Sequence, residues 1–363
     1  MSIQTPITHQ IPITHVQKSK PKPRDQELGF GQVFTDHMFL MDGVADTGWS
    51  NPRIVPYGPL SLEPATVGLH YAQTVFEGLK AYRSPKDKIR IFRPDQNIAR
   101  FNRSAARLCV PSIDEELFLS ALKQLVALDQ EWVPRAPGTS LYVRPVAFAR
   151  DPDLRVRPSY TYQFFIILSP VGAYYAQGFN PLRIRVEDNY IRSVRGGTGA
   201  AKTAGNYAGS LLASEDAHKE GFAQVLWLDG VEQKYIEEVG SMNIAFVIDD
   251  ELVTPPITGT ILEGVTRASM LQLAKDFGIK VAERPITITE VLTAARSGQL
   301  REAFGSGTAA VISPVGELSY QGENMVINDG KVGPLAQRLF DELSDIQRGI
   351  KPDKHGWMVE VDS

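Results

Sequence analysis

The segment Arg195-Gly196-Gly197-Thr198-Gly199-Ala200-Ala201-Lys202-Thr203-Ala204-Gly205-Asn206-Tyr207 sets one lysine among small residues. Backbone can approach closely there, and the ammonium has no long neighbours to shelter it. Three chemistries fit such a stretch. Gly196, four residues, then Ala201-Lys202-Thr203 nearly matches a phosphate-cradling loop, but Ala201 stands where that loop needs a glycine without Cβ. The second is a lysine nucleophile that forms a Schiff base with a carbonyl, its pKa lowered by desolvation. The third is a glycine-rich turn bearing a solvated lysine. The segment alone leaves all three open.

Other segments carry the parts that a pyridoxal phosphate site requires. Besides a lysine, such a site needs a carboxylate facing the ring nitrogen, which keeps the ring protonated and able to accept electrons. Its phosphate needs helix N-terminal N–H groups with an arginine or a hydroxyl. Glu237-Glu238-Val239-Gly240-Ser241 precedes an apolar strand, Gly264-Val265-Thr266-Arg267 opens a helix, and Gly305-Ser306-Gly307-Thr308-Ala309 is a donor-rich turn. Each by itself is ordinary turn or cap material. Their combination with Lys202 is not.

The elements that must position these residues alternate between strand and helix patterns. Lys88–Phe92 alternates polar and apolar residues as a strand does, and Asn97–Leu108 has apolar residues at helical spacing. Ser112-Ile113-Asp114-Glu115 reads as a capping box for a helix running toward Trp132. Ser140–Ala149 and Thr161–Leu168 read as strands, the second nearly all apolar and so central. Leu182–Glu187, Gln224–Leu228 and Asn243–Ile248 are further strands. Asn206–Lys219, Val265–Phe277, a segment opened by Thr287, and Pro334–Arg348 are helices. The pattern predicts a mixed α+β (α/β) chain of two domains. Residues 1–27 form an N-terminal arm, 28–169 a small domain, 170–181 an interdomain loop and 182–363 a large domain.

Composition narrows the function classes. The 363 residues are 43% hydrophobic and 22% charged, enough for a sizeable core. The 38 basic and 42 acidic residues give a net charge of -4 without a like-charge block, so no nucleic-acid partner is expected. A lone cysteine, Cys109, forms no intrachain disulfide and reads as a small buried hydrophobe. No Cys/His set has zinc spacing, so no metal is expected. The longest apolar stretch, near Phe164–Ala176, is broken by Ser169, Pro170 and Gly172, so no membrane span is expected. Met1–Glu27 lacks the apolar run of a secretory signal, which makes the cytoplasm the expected address. The echo of Pro6-Ile7-Thr8-His9 in Pro12-Ile13-Thr14-His15 reads as a mobile or loosely packed arm with solvated histidines.

Taken in order, the motifs resemble one family from Phe30 to about Trp357: the branched-chain amino-acid aminotransferases, of the fold-type IV pyridoxal phosphate class. The resemblance rests on Phe30–Met38, Leu69-His70-Tyr71-Ala72, Phe76-Glu77-Gly78-Leu79-Lys80-Ala81 and Ser140-Leu141-Tyr142-Val143-Arg144-Pro145. It continues through the lysine loop, Glu238–Asn243, Thr254-Pro255-Pro256 leading to Gly264–Arg267, and Phe304–Ala309. It implies amino transfer between leucine, isoleucine or valine and 2-oxoglutarate, with pyridoxal 5′-phosphate as cofactor. It also implies a homodimer, in which loops of the partner complete each pocket.

Carried over residue by residue, the resemblance makes Lys202 the catalytic residue, covalently holding the cofactor and later moving a proton. Tyr207, with Arg192 behind it, would meet the cofactor's phenolic oxygen, and Glu238 its ring nitrogen. Arg100, Val265, Thr266 and Thr308 would bind the phosphate. Phe30, Tyr71, Phe76 and Tyr142 would line an apolar substrate pocket, with Arg144 for glutamate's second carboxylate. Tyr142 and Arg144 are two apart on a strand, hence on one face. Ser241, Ala309 and Ala310 would take the substrate α-carboxylate. Two departures stand out. Ala310 and Ser313 occupy the places of a C-x-x-C pair found in some relatives, which excludes thiol regulation there. Ser241 replaces a common threonine and loses a methyl contact.

Overall fold

A computed structural model describes residues 11–172, 174 and 178–362. The first Pro-Ile-Thr-His copy, with His9, and positions 173 and 175–177 of the expected interdomain loop lie outside the described residues. The chain divides into two compact units, Met1–Ala173 with Gln347–Ser363, and Tyr174–Ile346.

The first unit begins with β1 (His37–Val44), β2 (Gly48–Pro56), α1 (Val67–Tyr71), β3 (Thr74–Phe76), β4 (Leu79–Arg83) and β5 (Ile89–Phe92). It continues with α2 (Pro94–Arg107), α3 (Glu115–Leu128), β6 (Ser140–Ala149) and β7 (Thr161–Val171). β7 lies between β6 and β1 in an antiparallel sheet, the interior place its apolar run predicts. Phe164 on β7 is fully buried and meets Phe39, Trp49, Phe101 and Phe118 edge-on, with ring centroids 5.6–6.5 Å apart. The α3 cap is Asp114, not Ser112: its Oδ1 accepts the Leu117 N–H at 2.8 Å.

The second unit holds β8 (Leu182–Glu187), α4 (Ala204–Ala208), α5 (Leu211–Lys219), β9 (Gln224–Leu228), β10 (Ile236–Val239), β11 (Met242–Ile248) and β12 (Glu251–Thr254). Then come α6 (Val265–Asp276), β13 (Lys280–Glu283), α7 (Ile288–Ser297), β14 (Leu300–Gly307), β15 (Val311–Tyr320), β16 (Glu323–Val326) and α8 (Pro334–Gln347). The strand order β10-β9-β8-β15-β14-β11-β12-β13 is completed by a β10–β11 pairing, so the strands from β10 to β11 close on themselves. Thr287 caps α7 by accepting the Glu290 N–H at 3.0 Å, as its sequence predicts. The single helix expected over Asn206–Lys219 is broken between α4 and α5 at Gly209 and Ser210, where glycine costs about 1 kcal/mol of helix propensity. No helix among the described residues is long and apolar enough to cross a membrane.

Three expectations change. The last segment, β17 (Met358–Glu360), pairs with β5, and Trp357 packs on Phe92, so the C-terminal residues extend the first unit's sheet. The described part of the arm is not loose. Ile11 is buried, Thr14 N–H and Ile54 N–H bond across to Ile54 and Pro12 carbonyls at 2.9 Å, and the Lys20 ammonium donates to the Thr35 carbonyl at 2.8 Å. His15 is exposed, as expected. Cys109 is exposed rather than buried: it follows α2 in a left-handed conformation (φ 57°), and Val110 turns inward in its place.

The loop after β6 is tied by Asp151, which accepts from Tyr160 N–H at 2.7 Å, Thr161 N–H at 2.8 Å and the Thr161 hydroxyl at 2.6 Å, with Arg157 at 3.0 Å. Burial alone would raise its pKa, but these donors outweigh burial and hold it at about 2. The folded pKa lies below the usual 3.8, so the stabilisation is present above that value and fades as pH falls toward 2. Asp151→Asn is expected to lose about 2 kcal/mol in denaturant unfolding at neutral pH. The wild-type and variant curves should converge near the folded pKa; a gap constant across acid pH contradicts this.

Candidate active site

In the second unit the candidate residues gather around the β10–β11 junction. Glu238 on β10 is 2% exposed and faces Asn243 of β11 in register. Asn243 Nδ2 donates to Glu238 Oε1 at 3.0 Å and to the Leu262 carbonyl at 2.9 Å, and the Leu262 N–H reaches the same Oε1 at 3.3 Å. Arg192 Nε lies 2.7 Å from Oε2, within ion-pair range but out of line, so Oε2 is buried without an in-line donor. Burial raises the Glu238 pKa to about 7 against the opposing charge of Arg192.

Lys202 ends the small-residue loop, half-buried, and its Nζ donates to the Tyr207 hydroxyl at 2.7 Å. Asn206 shapes that loop: it accepts from the Thr198 hydroxyl at 2.6 Å and donates to the Thr198 and Ala201 carbonyls at 2.9 Å each. Arg192, expected behind Tyr207, shares a small pocket with it. Its other contacts are the Thr260 carbonyl at 3.0 Å and the Gly199 carbonyl at 3.3 Å, so it joins the lysine loop to Glu238. Tyr207, Ser241, Glu238 and Arg192 line one small pocket with Leu262.

The α6 start is drawn to this place by Asn243. A Cβ on Gly264 would lie 2.0 Å from Asn243 Oδ1, so only glycine permits the approach. Gly264 provides no side-chain cap, and the Val265 and Thr266 N–H groups form the open first turn. The register Asn243↔Ser306 carries the half-buried turn of Thr308, Ala309 and Ala310 past the Ser241 end of β11.

In the first unit, Arg100 on α2 is buried and pairs two-point with Glu77, Nε to Oε1 at 2.6 Å and Nη2 to Oε2 at 2.8 Å. Asn97 Nδ2 and Gly78 N–H also donate to Glu77, at 2.8 and 3.0 Å. Phe30 packs edge-on against Tyr142 at 5.0 Å, and the Arg144 guanidinium lies over the Phe76 and Tyr142 rings at 4.9 and 5.2 Å. Arg144 Nη2 donates to the Tyr142 hydroxyl at 3.1 Å, which places both on one face of β6 as their spacing predicts. Arg144 Nε is buried with no hydrogen-bond partner. Tyr71 stands apart from this group: it is 42% exposed, and its hydroxyl donates to the Leu154 carbonyl at 2.6 Å.

Sequence reading missed Asn206, Asn243, Glu77 and Asn97 as organising residues. Each acts through partners distant in sequence or through loop geometry. Asn206, Asn243 and Glu77 lie inside quoted motifs, but nothing in those motifs showed which partners they hold; beside Glu77, a Cβ on Gly78 would lie 1.9 Å from the Tyr142 hydroxyl.

The family model for class IV amino-transferases matches residues 74–318. Branched-chain-amino-acid aminotransferase 2 of Bacillus subtilis (strain 168) is 58% identical over 342 residues, 94% of each chain. The Escherichia coli branched-chain amino acid aminotransferase structure aligns with a TM-score of 0.77 at 28% identity, covering 90% of this chain and 99% of that one. A T.th. branched-chain amino acid aminotransferase complexed with N-(5′-phosphopyridoxyl)-L-glutamate aligns at 0.73 and 28%, covering 89% and 98%.

Asn206→Ala removes three hydrogen bonds from the lysine loop, each contributing about 1 kcal/mol. Amide hydrogen exchange over residues 196–203 should accelerate by about tenfold or more, with β9 and β11 unchanged. Unaltered exchange in the loop would show that Asn206 does not shape it.

Proposed function

The chain belongs to the branched-chain-amino-acid aminotransferases, within the class IV aminotransferases, and we propose that Lys202, Glu238 and Arg144 are the residues on which its reaction turns. The reaction moves the amino group of leucine, isoleucine or valine to 2-oxoglutarate, giving branched-chain 2-oxo acids and L-glutamate, with pyridoxal 5′-phosphate as cofactor. The observation that carries the assignment of residues is the pairing of Lys202 Nζ with Tyr207 beside a buried carboxylate that lacks one in-line donor.

These residues fit the cofactor. A protonated ring nitrogen is the donor that Glu238 Oε2 lacks, and the uncapped α6 start suits a phosphate. Lys202 would hold the cofactor through Nζ, Tyr207 would meet its phenolic oxygen, and Arg100, Val265, Thr266 and Thr308 would bind its phosphate. When bound, the cofactor supplies an electron sink for the charge left when the substrate Cα loses its proton.

The remaining work falls to the chain. Lys202 Nζ would take the Cα proton as general base and, as general acid, deliver it to C4′ of the cofactor, with the Tyr207 hydroxyl fixing its position. Ser241 and the N–H groups of Ala309 and Ala310 would bind the α-carboxylate. Phe30, Phe76 and Tyr142 would line the pocket for branched side chains, and Tyr71, which stands apart from them in the chain, would complete it from the partner of a homodimer. Arg144 would meet glutamate's second carboxylate; its buried Nε, without a partner, supports that role. A homodimer is part of the same reading, supported by the exposed apolar side chains of Val156 and of Leu154, which meets Tyr71, and so is a cytoplasmic address.

Purified enzyme should form glutamate from leucine and 2-oxoglutarate, and leucine alone should bleach its visible absorption band. Lys202→Ala should do neither. Arg144→Gln should lower kcat/KM for glutamate by roughly 30-fold or more, while leucine stays within about threefold. Equal losses for both donors would remove Arg144 from the role of selecting glutamate.

A further inference from the structure

Two adjacent carboxylates on β10, at an irregularity in its pairing with β9, line different pockets. Glu238 faces the lysine pocket. Glu237 lines a separate cavity of about 240 Å³, walled by Val194, Val231, Ile236, Pro255 and Pro285. Its walls are mostly apolar. Glu237 is 6% exposed, and the Thr260 hydroxyl donates to it, yet its Oε2 is buried without a hydrogen-bond partner. The other acid of the same wall shows that the fold can satisfy a carboxylate here. Asp229 accepts four backbone N–H bonds, from Val231, Glu232, Lys234 and Tyr235, at 2.8–3.1 Å. Burial raises the Glu237 pKa against the Thr260 hydrogen bond and the opposing charge of Arg192. An exposed guanidinium, Arg195, also lines the cavity.

We propose that this cavity is a second binding site, for an apolar α-amino acid in its zwitterionic form. The ammonium supplies the donor that Glu237 Oε2 lacks, the aliphatic side chain fills the space between the valines and prolines, and the carboxylate meets Arg195. A neutral hydrocarbon would leave Glu237 unsatisfied, and a dicarboxylic acid would bring a second charge against apolar walls. The site is joined to the catalytic one. Thr260 bonds Glu237 through its hydroxyl and Arg192 through its carbonyl, and Arg192 pairs with Glu238, so occupancy bears on the carboxylate of the lysine pocket. The inference stands on the cavity with Glu237 and Arg195, independently of the catalytic assignment.

The probe is N,N-dimethyl-L-leucine, a zwitterion whose tertiary amine cannot condense with a carbonyl. Titrated calorimetrically into holoenzyme, it should bind wild type, and at least tenfold more weakly to Glu237→Gln and to Arg195→Ala. Both variants should keep kcat/KM for leucine within about threefold. The decarboxylated analogue N,N-dimethyl-3-methylbutylamine should bind wild type at least tenfold more weakly than the probe. Arg195 is exposed, so its variant reports even if Glu237→Gln fails to fold. Absence of binding to wild type, or binding that Arg195→Ala leaves unchanged, overturns the proposal. So does binding lost only together with leucine turnover, which would place the probe in the catalytic pocket.

Discussion

A carboxylate buried where a sheet closes on itself is the constraint around which the second unit is arranged. Glu238 sits at the β10–β11 pairing that completes the ring of strands, almost without exposure. An isolated charge there would be prohibitive, so the surrounding chain must supply donors. It does so from three separate segments: N–H donors from Asn243 of β11 and from Leu262 before α6, and the opposing charge of Arg192 after β8. Each brings its own segment with it. Asn243 holds the Leu262 carbonyl and the α6 start, and Arg192 holds the Gly199 and Thr260 carbonyls. One costly group thereby ties the lysine loop to the helix N-terminus.

The first unit solves a similar problem with a different partner. Glu77 is buried among the donors of Arg100, Asn97 and Gly78, and the two-point pairing fixes the plane of the guanidinium. The rigid support is the aromatic cluster about Phe164, which locks β7 against β1 and the helices. Arg144 is the contrast. It stacks on aromatic rings and bonds to a hydroxyl, with no carboxylate partner among the described residues.

What was legible in the sequence follows the range of the forces involved. Ser140–Ala149 and the α7 cap at Thr287 were readable because alternation and capping are local. Lys202 stood out because small neighbours are a local signal too. The roles of Glu238, Arg100 and Arg144 came through resemblance, since no local pattern says which buried charge faces which partner. Asn206 and Asn243 were invisible for the same reason. The tight packing of residues 11–20, the pairing of β17 with β5, and the exposure of Cys109 depend on where distant backbone happens to pass. The break at Gly209 had a local cause, a glycine inside an otherwise helical pattern, but tertiary packing decides whether such a helix continues.

The most direct test of the central place given to Glu238 is the ¹⁵N chemical shift of the bound cofactor's ring nitrogen, in wild type and Glu238→Gln. Wild type should keep that nitrogen protonated to well above the pH at which the free cofactor loses its proton, because an adjacent carboxylate stabilises the charge. The glutamine variant should bind the cofactor with its ring nitrogen unprotonated at neutral pH. The same protonated shift in both proteins would contradict the account, since Glu238 would then have no part in holding the ring's charge.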